Sequence, residues 1–221
     1  MKESESLLVI NDFYCHSSVL YYHTGHFEKA LDYCRRGLQF LAGHLTLYYH
    51  TDFYFYHALI MASLYPGANR EDRSEYGEKL SIERERFKTW SGNCPENFLH
   101  KFLLIEAEYA RVTGDDSHAM ELYDRAIEEA VRQGHNRDEA TANRLAGDYW
   151  LARGKQDFSS LYLVRAHDCL LRWGARRLAE DLRTRHASAF KRAGKDLERD
   201  ETVSQRGMRN HYDDTETLIA I

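Results

Sequence analysis

The 221-residue chain is predicted to be all-α, built from helical hairpins, and three observations carry that prediction. It holds only two prolines, Pro66 and Pro95, so almost nothing interrupts helices over its length. Apolar residues recur at three- and four-residue steps rather than alternating. Gly114 and Gly154, 40 positions apart, each sit between two amphipathic segments, as do Ala126 and Ala166 twelve residues downstream. A β-sandwich would need many more turn signals than this sequence contains.

Taken in order, the first hairpin spans approximately residues 6–42, with Gly25 at its turn. Ala30, Cys34 and Gly37 follow at offsets of 5, 9 and 12. The second, approximately 46–92, has lost these small-residue offsets. Its first helix, around "TDFYFYHALIMASLY", ends at Pro66-Gly67, and its second is the charged "RSEYGEKLSIERERFKTW". The third, 96–134, pairs "ENFLHKFLLIEAEYARV" with "SHAMELYDRAIEEAVRQ" across "TGDD". There Ala119, Tyr123 and Ala126 form a small–large–small face for a partner helix. The fourth, 137–173, repeats the pattern with Ser159, Leu163 and Ala166, and Ala146-Gly147 supplies the facing surface. A helix near 175–193 is expected to cap the last hairpin. Residues 1–193 thus form one repeat domain, and 194–221, polar and acidic, read as a linker or disordered tail.

These offsets are those of tetratricopeptide repeats. The fold class is therefore a tetratricopeptide-like α-solenoid of about four hairpins plus a capping helix. In such arrays the first helix of each hairpin lines the concave face. That makes Tyr21, Tyr22, Tyr49, Phe53, Tyr56, Glu106 and Tyr109 the candidate contact residues.

Composition excludes several functions. The net charge of −5 offers no basic field for nucleic acid, and the cluster "RWGARRLAEDLRTRH" is broken by Glu180 and Asp181. "HLTLYYHTDFYFYHALIMASLY" (44–65) is long enough to span a bilayer. His50, Asp52 and His57 near its middle argue instead for a helix packed between helices. The start lacks the features of a secretory signal. Cys15, Cys34, Cys94 and Cys169 form no CxxC pair and fit reduced, mostly buried thiols of a cytoplasmic protein.

The chain contains no GxxxxGK[ST] loop, no GxGxxG after a strand and no kinase catalytic loop, and no histidine has a phosphoacceptor neighbourhood. His23/His26 and His50/His57 lack the spacing of a metal triad, so no metal and no cofactor are expected. Gly114-Asp115-Asp116 fails the alternation of a calcium loop. It reads as a turn followed by a helix cap at Asp116 or Ser117, with Asp157 capping the matching helix.

Four stretches, "FYFYHALIMASLYPGA", "NCPENFLHKFLLIEAEYARVTGD", "MELYDRAIEEAVRQG" and "LYLVRAHDCLLRWGARRLAEDL", resemble the tetratricopeptide-like region of very large bacterial hybrid signalling proteins. In that family a serine/threonine-kinase-like domain and an AAA/STAND-type ATPase precede the helical region, and a GAF sensor and a histidine kinase follow it. The resemblance covers most of residues 12–187. It implies a non-enzymatic scaffold that binds protein segments or relays a signal to adjacent ATPase, GAF or histidine-kinase domains, with the catalytic domains outside this chain. A second expectation, from a different class, is a small-ligand sensor or enzyme using helix 44–65, with a polar pocket near His50, Asp52 and His57.

Overall fold

The computed structural model describes residues 2–39 and 49–194, and the side chains of 9–39 and 50–194. Of the expected tail, 194–221, only Gly194 is described, and it is helical; the rest lies outside the described residues. Every element among the described residues is helical, so the all-α class predicted is the class observed. The elements are α1 (Lys2–His23), α2 (Phe27–Leu38), α3 (Tyr49–Leu64), α4 (Arg70–Asn93), α5 (Pro95–Thr113), α6 (Asp116–Arg132), α7 (Asn136–Ala152), α8 (Gln156–Trp173) and α9 (Arg176–Arg185). A short 3₁₀ turn, Tyr65–Gly67, joins α3 to α4. The helices pair in the predicted order, α1/α2, α3/α4, α5/α6 and α7/α8. No described helix is long and apolar enough to cross a membrane.

The turns explain the pairing. Gly25, Gly114, Gly134, Gly154 and Gly174 all have positive φ, between 71° and 89°. Each ends a helix in the left-handed conformation, which only glycine adopts without steric cost. The next amide then donates back over the final turn: Asp115 to the carbonyl of Ala110 and Lys155 to that of Trp150, at 2.9 and 3.0 Å. Four of these glycines stand at 20-residue intervals, so the same device closes the third and fourth hairpins and joins each to the helix that follows, as Gly25 closes the first. Two described helix junctions work differently: the 3₁₀ turn joins α3 to α4 without a left-handed glycine, and a single residue joins α4 to α5. Cys94 alone (φ −147°, ψ 76°) separates α4 from α5, and Pro95 opens α5 where its missing N–H costs nothing.

Two expected caps are corrected. Asp115, not Asp116 or Ser117, is the N-cap of α6, and its carboxylate accepts from the His118 amide at 3.2 Å. Because glycine takes the left-handed position, the very next residue becomes the cap. Lys155 caps α8 without a side-chain bond, and Asp157 instead pairs with Arg192 at 2.8 Å. Asp115→Ala should therefore cost about 1 kcal/mol in urea unfolding, and Asp116→Ala clearly less. Equal losses would return the cap to Asp116. The single helix expected at 175–193 is also interrupted: α9 stops at His186 (φ −114°, ψ 34°), and helical backbone resumes over 187–194.

The chain divides into two compact units, Met1–Ala142 and Asn143–Ile221, with the boundary inside α7. In the first, α3 is the centre, packed by α1, α2, α4 and α5. Every residue from Phe53 to Ala62 is buried. An aromatic spine runs through it: Tyr22 meets Tyr56 with ring centroids 5.3 Å apart, and Phe55 meets Phe87 of α4 at 6.0 Å. The described part of the membrane-length segment, α3, is thus an interior helix, largely apolar because it has neighbours on all sides.

In the second unit, Ser159, Leu163 and Ala166 of α8 are buried as predicted. Gly147 brings α7 so close that a Cβ there would lie 2.7 Å from Leu163 Cγ. Burial keeps Cys15 and Cys34 as thiols by pushing both up to about 12, which makes them unreactive core residues.

Candidate functional site

The first helices of the repeats carry the chemistry of the first unit, but most of it faces inward. Lys101 of α5 lies one turn before Leu104 and Ile105 on the same buried stripe and is only 1% exposed at its side chain. Its ammonium lies 2.5 Å from Asp52 of α3 and 3.5 Å from Asp138 of α7. Arg137 reaches the same two carboxylates, Asp52 at 2.7 Å and Asp138 at 3.2 Å. His100 Nε2 lies 2.8 Å from Asp138. Two cations and two carboxylates therefore balance across three successive first helices.

The electrostatics follow from burial and pairing. Burial by itself would discharge Lys101; the charges of Asp138 and Asp52 outweigh it and hold its pKa above the ordinary lysine value. Burial likewise works against an ionised Asp138, but Lys101, the His100 hydrogen bond and Arg137 hold its carboxyl far below the usual range. Burial lowers the pKa of His100, and its bond to Asp138 only partly offsets that.

His100, His135 and Asp138 bring three ligand-type atoms within 4.8 Å of one another. The arrangement serves ion pairing better than metal binding. The two imidazoles stack at 4.3 Å and 24°, so their in-plane lone pairs run side by side instead of converging. His135 Nε2 is 3.0 Å from the Glu96 carbonyl, and a divalent ion would have to displace two positive side chains from Asp138.

The candidate contact residues divide into two groups. Tyr22, Phe53 and Tyr56 are 1%, 0% and 0% exposed, so they are core residues and not surface contacts. The expectation assumed that first helices keep one face open, whereas α3 is enclosed by four others. Tyr21, Glu106 and Tyr109 remain half-buried. Glu106 accepts from Arg84 Nε of α4 at 2.5 Å, and the same guanidinium lies 4.6 Å over the Tyr109 ring. Tyr21 sits apart from these, 5.1 Å from Tyr33. The Tyr49 side chain lies outside the described residues.

The polar residues of the aromatic helix do not converge either. His50 lies 3.0 Å from Asn11 Nδ2, Asp52 binds Lys101 and Arg137, and His57 pairs with Glu83 at 3.3 Å. Each is occupied by a different neighbouring helix. Sequence reasoning missed the Lys101–Asp138 network. Its one local signal is a lysine on the stripe 101, 104, 105, 108, where every other turn position is buried.

A model of CHK1-like TPR repeats matches residues 12–160. The chain belongs to that family. CHK1-like TPR membership makes it a helical-repeat scaffold of the kind that mediates protein–protein interaction, and points to a scaffold rather than a catalyst. It also accounts for the shared turn glycines and the small residues at Ala30, Ala119 and Ser159. No curated protein matches the chain.

Proposed function

We propose that this CHK1-like TPR chain is a non-catalytic connector of a cytoplasmic signalling system, with residues 1–193 as the repeat domain and 194–221 as a linker. It binds or relays movement to adjacent ATPase, GAF or histidine-kinase modules. One observation carries the reading. The Asp52–Lys101–Asp138–Arg137 network ties α3, α5 and the start of α7 together through two fully buried charges, Lys101 and Asp138, each paired with a partly exposed one. A shift of one first helix must move the next or break a buried ion pair, which is what a relay needs. Glu106 and Tyr109, gathered on Arg84, are the accessible contact point in this scheme.

The test is binding of the purified chain to purified ATPase, GAF and histidine-kinase modules from signalling proteins of the same genome. At least one should bind. The double variant Glu106→Ala/Tyr109→Ala, shown to be folded by circular dichroism, should weaken that binding about tenfold, equal to about 1.4 kcal/mol. Failure of all three modules to bind would remove the relay reading and leave family membership untouched.

A further inference from the structure

Five and six residues after the turn glycine, the first and third hairpins carry Ala30-Leu31 and Ala119-Met120, whereas the fourth carries Ser159-Ser160. Five residues before the same glycines stand Leu20, Tyr109 and Tyr149. Gly194 continues the 20-residue interval in the sequence, and the residue at that place is Ala189. Two side chains that are large in other hairpins are therefore a serine and an alanine where α8 meets the helical segment 187–194. The two elements touch at His167 and Phe190, whose rings lie 5.4 Å apart. The bulk given up leaves a cavity of about 100 Å³ within the second unit.

Its lining is polar where a repeat core is apolar. Ser159 is wholly buried, and its Oγ has no hydrogen-bond partner. Ser160 Oγ donates to the Gln156 carbonyl at 2.8 Å, and Ser188 adds a third hydroxyl. The exposed Arg192 donates to Asp157 Oδ1 at 2.8 Å and to Gln156 Oε1. A guanidinium has more N–H donors than these two contacts use. Leu151 and Ala189 supply an apolar wall.

We propose that this cavity binds a free short-chain carboxylate. Arg192 already holds one carboxylate, that of Asp157, whose side chain is 80% exposed and exchanges there with the incoming acid. A guanidinium and a serine hydroxyl with its hydrogen unspent suit carboxylate oxygens. Leu151 and Ala189 suit a short alkyl stem, which inorganic phosphate lacks. A cavity of about 150 Å³ accepts benzene, so one of about 100 Å³ accepts an acid of propionate's size. It has no room for a peptide backbone beside the acid. The inference does not depend on the relay reading.

Titration of the isotope-labelled full chain with sodium propionate, followed by NMR at constant ionic strength, tests it. Amide shifts should saturate and centre on 151–160 and 187–192. Propionamide, inorganic phosphate and a blocked peptide with a central glutamate should each bind about tenfold more weakly, or worse. Arg192→Met, at an exposed position, should weaken propionate by about tenfold. Asp157→Asn should strengthen it by about threefold, because the competing carboxylate is gone. Ser160→Leu restores the side chain found at Leu31, so it should fill the cavity, block binding and raise Tm. A wild-type chain without saturable propionate shifts overturns the proposal. So does equal or tighter binding of phosphate, propionamide or the peptide, the last of which would assign the acid to a partner protein. Undiminished binding in both Arg192→Met and Ser160→Leu overturns it as well.

Discussion

Asp138→Ala should lower the unfolding free energy by about 3–5 kcal/mol, the usual cost of removing one member of a buried ion-pair network. The carboxylate is shared by Lys101, Arg137 and His100. Without it Lys101, which is sealed from water, and the partly exposed Arg137 face Asp52 alone, and the His100 imidazole loses its partner. Lys101→Met added to Asp138→Ala should restore part of the loss, because it leaves the balanced pair Asp52–Arg137. Urea unfolding of the single and double variants decides the matter. A loss below about 1 kcal/mol for Asp138→Ala would mean that the network adds no more than a surface pair.

The same network predicts acid sensitivity in two windows. His100 titrates lower in the folded chain than its ordinary 6.5, so the unfolded chain takes up a proton first as pH falls. Its contribution is complete above 6.5 and declines below it. Asp138 is depressed from its ordinary 3.8, so its contribution is complete above that value and is lost as pH falls further. Asp138→Ala should abolish the second decline. His100→Gln should flatten the first.

Gly147→Ala is the second large effect, and its sign is informative. Inside a helix this change normally stabilises by about 0.5–1 kcal/mol, because alanine has less backbone freedom to lose. Here the new methyl would meet Leu163 Cγ at 2.7 Å, Cδ2 at 2.9 Å and the Leu163 backbone nitrogen at 3.4 Å. The two clashes are with the Leu163 side chain near its branch point, and because Leu163 is fully buried it has little room to turn away; the backbone nitrogen is at ordinary contact distance. A net loss of about 1–2 kcal/mol is expected. In a Leu163→Ala background, itself costing about 2–5 kcal/mol, the Gly147→Ala penalty should vanish. Stabilisation by Gly147→Ala in the native background would show that α7 and α8 do not approach as described.

The helices and their turns were legible because the signals are local. Gly25, Gly114 and Gly154 mark turns wherever they occur, since the backbone there needs positive φ. Gly134 and Gly174 do the same between hairpins, and the 20-residue interval could have been read from the sequence. The caps at Asp115 and Lys155 were displaced because the left-handed residue sets where the next helix begins. The small–large–small face at Ala119, Tyr123 and Ala126 was also a local pattern, and all three residues are buried.

The candidate surface was not legible in the same way. Tyr22, Phe53 and Tyr56 look like contact residues on their own helices and become core only when α1, α2, α4 and α5 close around α3. Lys101 reads as a surface lysine until Asp52, 49 positions earlier, is placed 2.5 Å away. The sequence by itself determined the all-α class, the repeat and the helix pairing, because each follows from the conformational demands of a few neighbouring residues. Only the tertiary structure decided which faces are sealed and which charges are balanced. Burial and Coulomb energy depend on distance in space, and residues far apart in the chain supply the atoms that set them.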